Sequence, residues 1–136
     1  MKFDTKIAIV LREDLATWQK LNMTAFLVSG IAACSPESIG DPYEDGSGNS
    51  YLPMFVQPVL VFSATAEQIQ AVYDHLLSQR MRFSVFTEEL FTTGNDVDNR
   101  AAVKAVRSEA LKVTGLAVRD NKKLVDSVLK GLALHK

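Results

Sequence analysis

Apolar positions in this chain follow two rhythms. Residues 6–11 read Lys-Ile-Ala-Ile-Val-Leu, a β-branched run of strand length, so the first strand is predicted over 3–11. Arg12, Glu13 and Asp14 then lead into a stretch where Leu15, Trp18, Leu21, Ala25, Val28 and Ala32 recur at spacings of three and four. That spacing predicts a helix over 15–33 with one apolar stripe facing a core. Asp14 or Thr17 can cap it, and Pro36 stops it. Thr24, Ser29, Gly30 and Ala33 keep it slim, which favours close packing on a sheet or on another chain.

The rhythm repeats further on. Residues 35–50 carry turn chemistry, and 51–56 form a short extended piece hemmed in by Pro53 and Pro58. Residues 58–62 read as a buried strand, followed by a helix over 66–79 with Ile69, Val72, Tyr73, Leu76 and Leu77 on its apolar face. Thr65 and Gln68 have capping-box spacing at its start. Residues 82–87 alternate as a third strand, and 95–108 read as a helix. Residues 112–118 give a fourth strand, and Asp120 caps a last helix ending near Leu132. Alternating strands and helices predict an α/β fold, a three-layer α/β/α arrangement around a four-stranded sheet, largely parallel and covered on both faces.

Composition narrows the setting. The chain has 136 residues, which suits one domain over 1–136. A net charge of −1 argues against a basic nucleic-acid binder. Cys34 is the only cysteine, which rules out an internal disulfide. No apolar run has bilayer-spanning length, and the start reads as a strand rather than a signal peptide, so a cytoplasmic location with no membrane partner is expected.

The run from Lys6 to Leu15 resembles the opening strand and turn of the archaeal and eukaryotic type of peptidyl-tRNA hydrolase, in which a Val-Val-Arg-x-Asp-Leu stretch precedes the catalytic helix. The likeness resumes at Pro58-Val-Leu-Val, at the helix 67–77 and at Phe83-Ser-Val-Phe. It continues through Glu88 and Thr92, then through Val113-Thr-Gly-Leu-Ala and the final helix. It covers most of the chain apart from 35–56 and 95–108. The whole is most similar to an uncharacterised bacterial branch of that fold, a domain-of-unknown-function family. The resemblance implies a mixed four-stranded sheet and a cleft between the first helix and the loop after the third strand. It also raises the expectation of a homodimer.

Carried over position by position, the family's catalytic set is incomplete. A Gly-Lys-Gly-Lys stretch is here Trp18-Gln19-Lys20-Leu21, leaving Lys20 out of register. Ala25 and Val28 stand where the hydrolases place Gln and His. Glu88 and Thr92 match an Asp and a Thr. Val28 moves no proton, so the standard reaction is not implied.

Other candidates come from the residues themselves. Arg12 and Asp14 read either as a polar pair at the cleft mouth or as a helix cap beside a surface cation. Thr24 is a hydroxyl on the helix, read as packing, back-bonding to the helix or lining a cleft. Tyr43 and Tyr51 flank a Gly-rich loop that is either a lid over 41–51 or an ordinary hairpin. The acids of that loop lack the closing Glu of a calcium loop, and His75 and His135 have no ligand-like spacing, so neither a metal nor a cofactor is expected.

Three functions remain open. The first is a non-hydrolytic protein binding a small-molecule or peptide-like ligand beside Lys20, Glu88 and Thr92. The second is a hydrolase using Glu88 as base. The third is a structural or regulatory homodimer packed through Ala25, Ser29, Ala32 and Ala33.

Overall fold

Packing of the central strands organises the molecule. The computed structural model describes residues 2–136. Strand β1 (Thr5–Arg12) leads to helix α1 (Thr17–Cys34), then to a small hairpin of β2 (Tyr43–Glu44) and β3 (Ser50–Tyr51). Strand β4 (Val59–Ala64), helix α2 (Ala66–Ser78) and strand β5 (Phe83–Thr87) follow. The chain closes with α3 (Asp96–Lys104), β6 (Val113–Asn121), α4 (Lys122–Val128) and β7 (Ala133–Leu134).

The main sheet has five strands in the order β5-β6-β1-β4-β7, not the four expected. The extra strand is the two-residue β7, which pairs with Phe62 and Ser63 of β4. Nor is the sheet largely parallel. Only β1 and β4 pair in parallel; β6 runs antiparallel to both β1 and β5, and β7 antiparallel to β4. The helical crossovers do send β1, β4 and β5 in one direction, as the alternation implies. β6 then inserts between β1 and β5 and separates two strands that a regular βαβ fold would set side by side.

Period-two alternation feeds two cores. Ala8 and Val10 of β1, with Leu116 and Val118 of β6, face α2 and α4. Ile9, Leu11 and Ala117 face α1. Gly115 lets α1 approach closely, because a Cβ there would lie 2.5 Å from Met23 Sδ.

α1 turns a different face inward from the one predicted. Met23, Leu27 and Ile31 are buried, while Trp18 is 62% and Leu21 68% exposed. The helix is apolar on nearly every side, so more than one stripe satisfies the helical period. Its cap also differs: Ala16 is the N-cap, and Gln19 Oε1 accepts from the Ala16 N–H at 3.0 Å. The final helix stops at Val128 rather than near Leu132, and Asn121, not Asp120, caps it by accepting from the N–H groups of Lys123 and Leu124. The helix expected over 95–108 covers only Asp96–Lys104. The Thr65–Gln68 capping box forms as predicted. Among the described residues, no helix is long and apolar enough to cross a membrane.

Candidate functional site

Because β1, β4 and β5 run the same way, their carboxyl ends share one edge of the sheet. Arg12 closes β1 there, and Glu88 follows β5. Arg12 Nη1 donates to Glu88 Oε1 at 2.8 Å, and its Nε donates to Asp14 Oδ1 at 2.6 Å. Burial alone works against the charged guanidinium, but the bonds and charges of Asp14 and Glu88 outweigh it and hold Arg12 above its ordinary pKa. The turn is fixed further by the Glu13 N–H, which donates to the Ala64 carbonyl at 2.9 Å. Arg12 and Glu88 line a shallow depression of about 580 Å³ together with Glu67, Gln70 and Lys112.

A separate cleft of about 320 Å³ opens between α1 and the segment after β5. This is where the family resemblance implies one, but its lining differs from the expected set. Trp18, Asn22 and Phe26, four residues apart on α1, form one wall. Phe86, Leu90 and Phe91 form the other, and Thr93, Asn95, Asp96 and Asn99 rim it. The rings make a continuous run: Trp18 to Phe91 at 6.1 Å, Phe91 to Phe86 at 4.9 Å, and Phe86 to Phe26 at 6.0 Å between centroids. Thr93 Oγ1 donates to the Leu90 carbonyl and contacts Asn99 Oδ1. Asn95 caps α3 through the Asp98 N–H. Asp96 is the one ionisable residue in the lining, and it pairs with Arg100. The cleft can stack and hydrogen-bond, but it holds no free acid–base group.

The predicted residues are therefore dispersed. Asp14 and Glu88 both meet Arg12. Lys20 Nζ lies 3.2 Å from His135 Nε2, near the chain's end, and lines neither cavity. Thr24 Oγ1 donates to the Lys20 carbonyl at 2.7 Å, the back-bonding alternative. Thr92 Oγ1 donates to the Glu89 carbonyl at 2.8 Å and points to solvent, while its neighbour Thr93 reaches the cleft. Tyr43 and Tyr51 face each other across an ordinary hairpin, where Tyr51 OH donates to Asp45 Oδ2 at 2.7 Å. They do not line the cleft.

Sequence reasoning missed Asn22, Phe26, Phe91, Asn95 and Asn99. For Asn22 and Phe26 the signal was the second stripe of α1, Trp18–Asn22–Phe26, which runs beside the buried one; Phe91, Asn95 and Asn99 carry no such periodic signal. Among the described residues, no three His, Cys, Asp or Glu side chains converge as metal ligands.

A search of curated proteins finds no match to this chain. The solved structure of a protein of unknown function from Agrobacterium tumefaciens is similar throughout, with 45% identity, a TM-score of 0.97 and coverage of 99% of this chain and 100% of the other. The family model described as "Protein of unknown function (DUF2000)" matches residues 5–136. With the match running over nearly its whole length, the chain belongs to the DUF2000 family.

Proposed function

We propose that this is a binding protein with a type II peptidyl-tRNA hydrolase-like fold that lacks the hydrolase reaction. It holds a small-molecule or peptide-like ligand in the cleft between α1 and the segment after β5. The observation that carries this reading is the cleft's lining: a run of four aromatic rings rimmed by neutral amides, with its one carboxylate tied to Arg100. Such a surface favours flat or peptide-like groups through stacking and amide hydrogen bonds. The family resemblance supports it from the other side, since Val28 stands where the hydrolases carry His.

Two measurements test the reading. Trp18 is the only tryptophan, so its emission reports directly on the cleft. Titration with a panel of short aromatic peptides and N-acyl amino acids is expected to shift that emission, and Phe91→Ala to abolish the shift. Purified protein is expected to leave N-acyl-aminoacyl-tRNA intact. Cleavage abolished by Glu88→Ala would replace the binding reading with a hydrolase using Glu88 as base.

The exposed apolar face of α1 favours a second reading, a homodimer. Leu21 and Phe26 lie open on it, with Ala25 and Ser29 between and beside them. A monomeric mass by light scattering at high concentration would remove it.

A further inference from the structure

The opposite end of α1 carries another cavity, of about 400 Å³, separate from the aromatic cleft. Its chemistry starts with β6. Ala117 points into the α1 core while Leu116 and Val118 point away, so Arg119 follows Ala117 onto the α1 face. There its side chain is 17% exposed, and its Nη1 donates to Glu37 Oε1 at 3.1 Å. Its Nε is buried and has no hydrogen-bond partner among the described residues. Glu37 is its one ion-pair partner among the described residues. Arg82 reaches the same cavity. Its Nη2 donates to Cys34 Sγ at 3.3 Å, a weak acceptor, and no carboxylate of the described residues pairs with it.

We propose that this cavity binds a small organic carboxylate, with its head group on the guanidinium groups of Arg82 and Arg119. The apolar part of the ligand lies against Ile31 and Phe83, which also line the cavity. Charge sets the ligand class. Glu37 already neutralises one arginine, leaving a single positive charge to be matched. Asp120 lines the cavity too, but the pleat of β6 turns its side chain toward the other face of the sheet. One carboxylate balances that charge, and a polyphosphate does not. The planar fork of a guanidinium also suits a carboxylate's two oxygens.

Cys34, the only cysteine, is exposed beside Arg82 and serves as a built-in reporter. Its alkylation is followed with two reagents of similar shape, iodoacetate (a carboxylate) and iodoacetamide (neutral). Both react with the thiolate, so the thiolate fraction cancels in the ratio of their rates. The iodoacetate-to-iodoacetamide ratio at Cys34 is expected to exceed that of N-acetylcysteine amide by about fivefold or more, because a fixed cationic site concentrates the anion. Arg82→Gln, at an exposed position, is expected to return the ratio to the reference without disturbing the fold. Benzoate is expected to slow iodoacetamide labelling, and benzamide to leave it unchanged. A ratio equal to the reference, or one untouched by Arg82→Gln, would overturn the proposal and leave the two arginines serving only the carbonyl end of α1. Trp18 emission plays no part in this test, so its outcome is independent of the aromatic cleft.

Discussion

Arg12 and Glu88 stand 76 residues apart in the chain, and their side chains meet at 2.8 Å across the width of β6. The contact locks the turn after β1 to the segment after β5. It also occupies the carboxylate that the hydrolase alternative would use as its base. Arg12 is 13% exposed at its side chain and Glu88 41%, so the two partners differ in what their loss costs. Arg12→Ala removes a mostly buried cation with two charge-assisted bonds and is expected to lower stability by about 1–3 kcal/mol. Glu88→Gln, at the wetter end, is expected to cost about 0.5–1 kcal/mol. Urea unfolding of both single variants and the double variant checks this, with an expected coupling of about 1 kcal/mol. Additive losses would show that the pair does not act as one contact.

The capping box at the start of α2 gives a second prediction. Thr65 Oγ1 accepts from the Gln68 N–H at 3.1 Å, and Gln68 Oε1 accepts from the Thr65 N–H at 2.9 Å. Thr65→Ala is expected to cost about 1 kcal/mol and Thr65→Asp much less, read as shifts in the urea midpoint. This feature was legible in the sequence because it depends on residues three apart. The strands were legible too, β1, β4 and β6 as short apolar runs of strand length and β5 by its alternation. The sheet order was not, because nothing local tells β6 to insert between β1 and β5. Nor does anything local mark Ala133 and Leu134 as an edge strand. The inward face of α1 was ambiguous for another reason: Lys20 is its only charged residue, so polarity does not choose among the stripes. That same ambiguity hides the cleft, since the Leu15–Trp18–Leu21 spacing predicts Trp18 in the core.

The close approach of α1 to β6 predicts a steric effect. A Cβ on Gly115 would meet Met23 Sδ at 2.5 Å and Leu27 Cδ1 at 3.1 Å, and both side chains are buried. Gly115→Ala is therefore expected to destabilise by about 1–3 kcal/mol through overpacking. In a Met23→Ala background the new methyl group occupies vacated space, so Gly115→Ala is expected to become neutral or stabilising there. An equal loss in both backgrounds would place the cost in the strand backbone instead.

The hairpin carries a pH prediction with two limbs. Asp45 accepts from the Asn49 side chain, the Tyr51 hydroxyl, and the backbone N–H groups of Asn49 and Ser47, which together hold its carboxyl well below the usual range. A depressed carboxyl stabilises the folded hairpin above its unfolded pKa of about 3.9, and that contribution is lost as pH falls through the lower folded value. The bond to Asp45 also raises the Tyr51 phenol above its ordinary value. That contribution is complete below about pH 10 and is lost as pH rises through the raised folded pKa. The chemical shifts of Tyr51 and the Asn49 amide in the folded hairpin are thus expected to stay constant through the ordinary carboxylate range at about pH 4 and the ordinary phenol range at about pH 10, and to move only below the first and above the second. Asp45→Asn is expected to abolish the acid limb.

Trp18 separates stability from binding. Its ring is 62% exposed and meets Phe91 edge-on at 6.1 Å, so its removal opens no interior cavity. Trp18→Ala is therefore expected to change stability by less than about 1 kcal/mol. If the cleft binds as proposed, a peptide-like ligand at 100 times its dissociation constant is expected to stabilise the parent protein by about 2.7 kcal/mol, and in the Trp18→Ala variant that increment is expected to vanish. Thermal unfolding with and without the best-binding peptide measures both quantities. Phe91→Ala, where the ring is half-buried between Trp18 and Phe86, is expected to lose the ligand increment and also some intrinsic stability. A full ligand increment in Trp18→Ala would move the binding site away from this cleft.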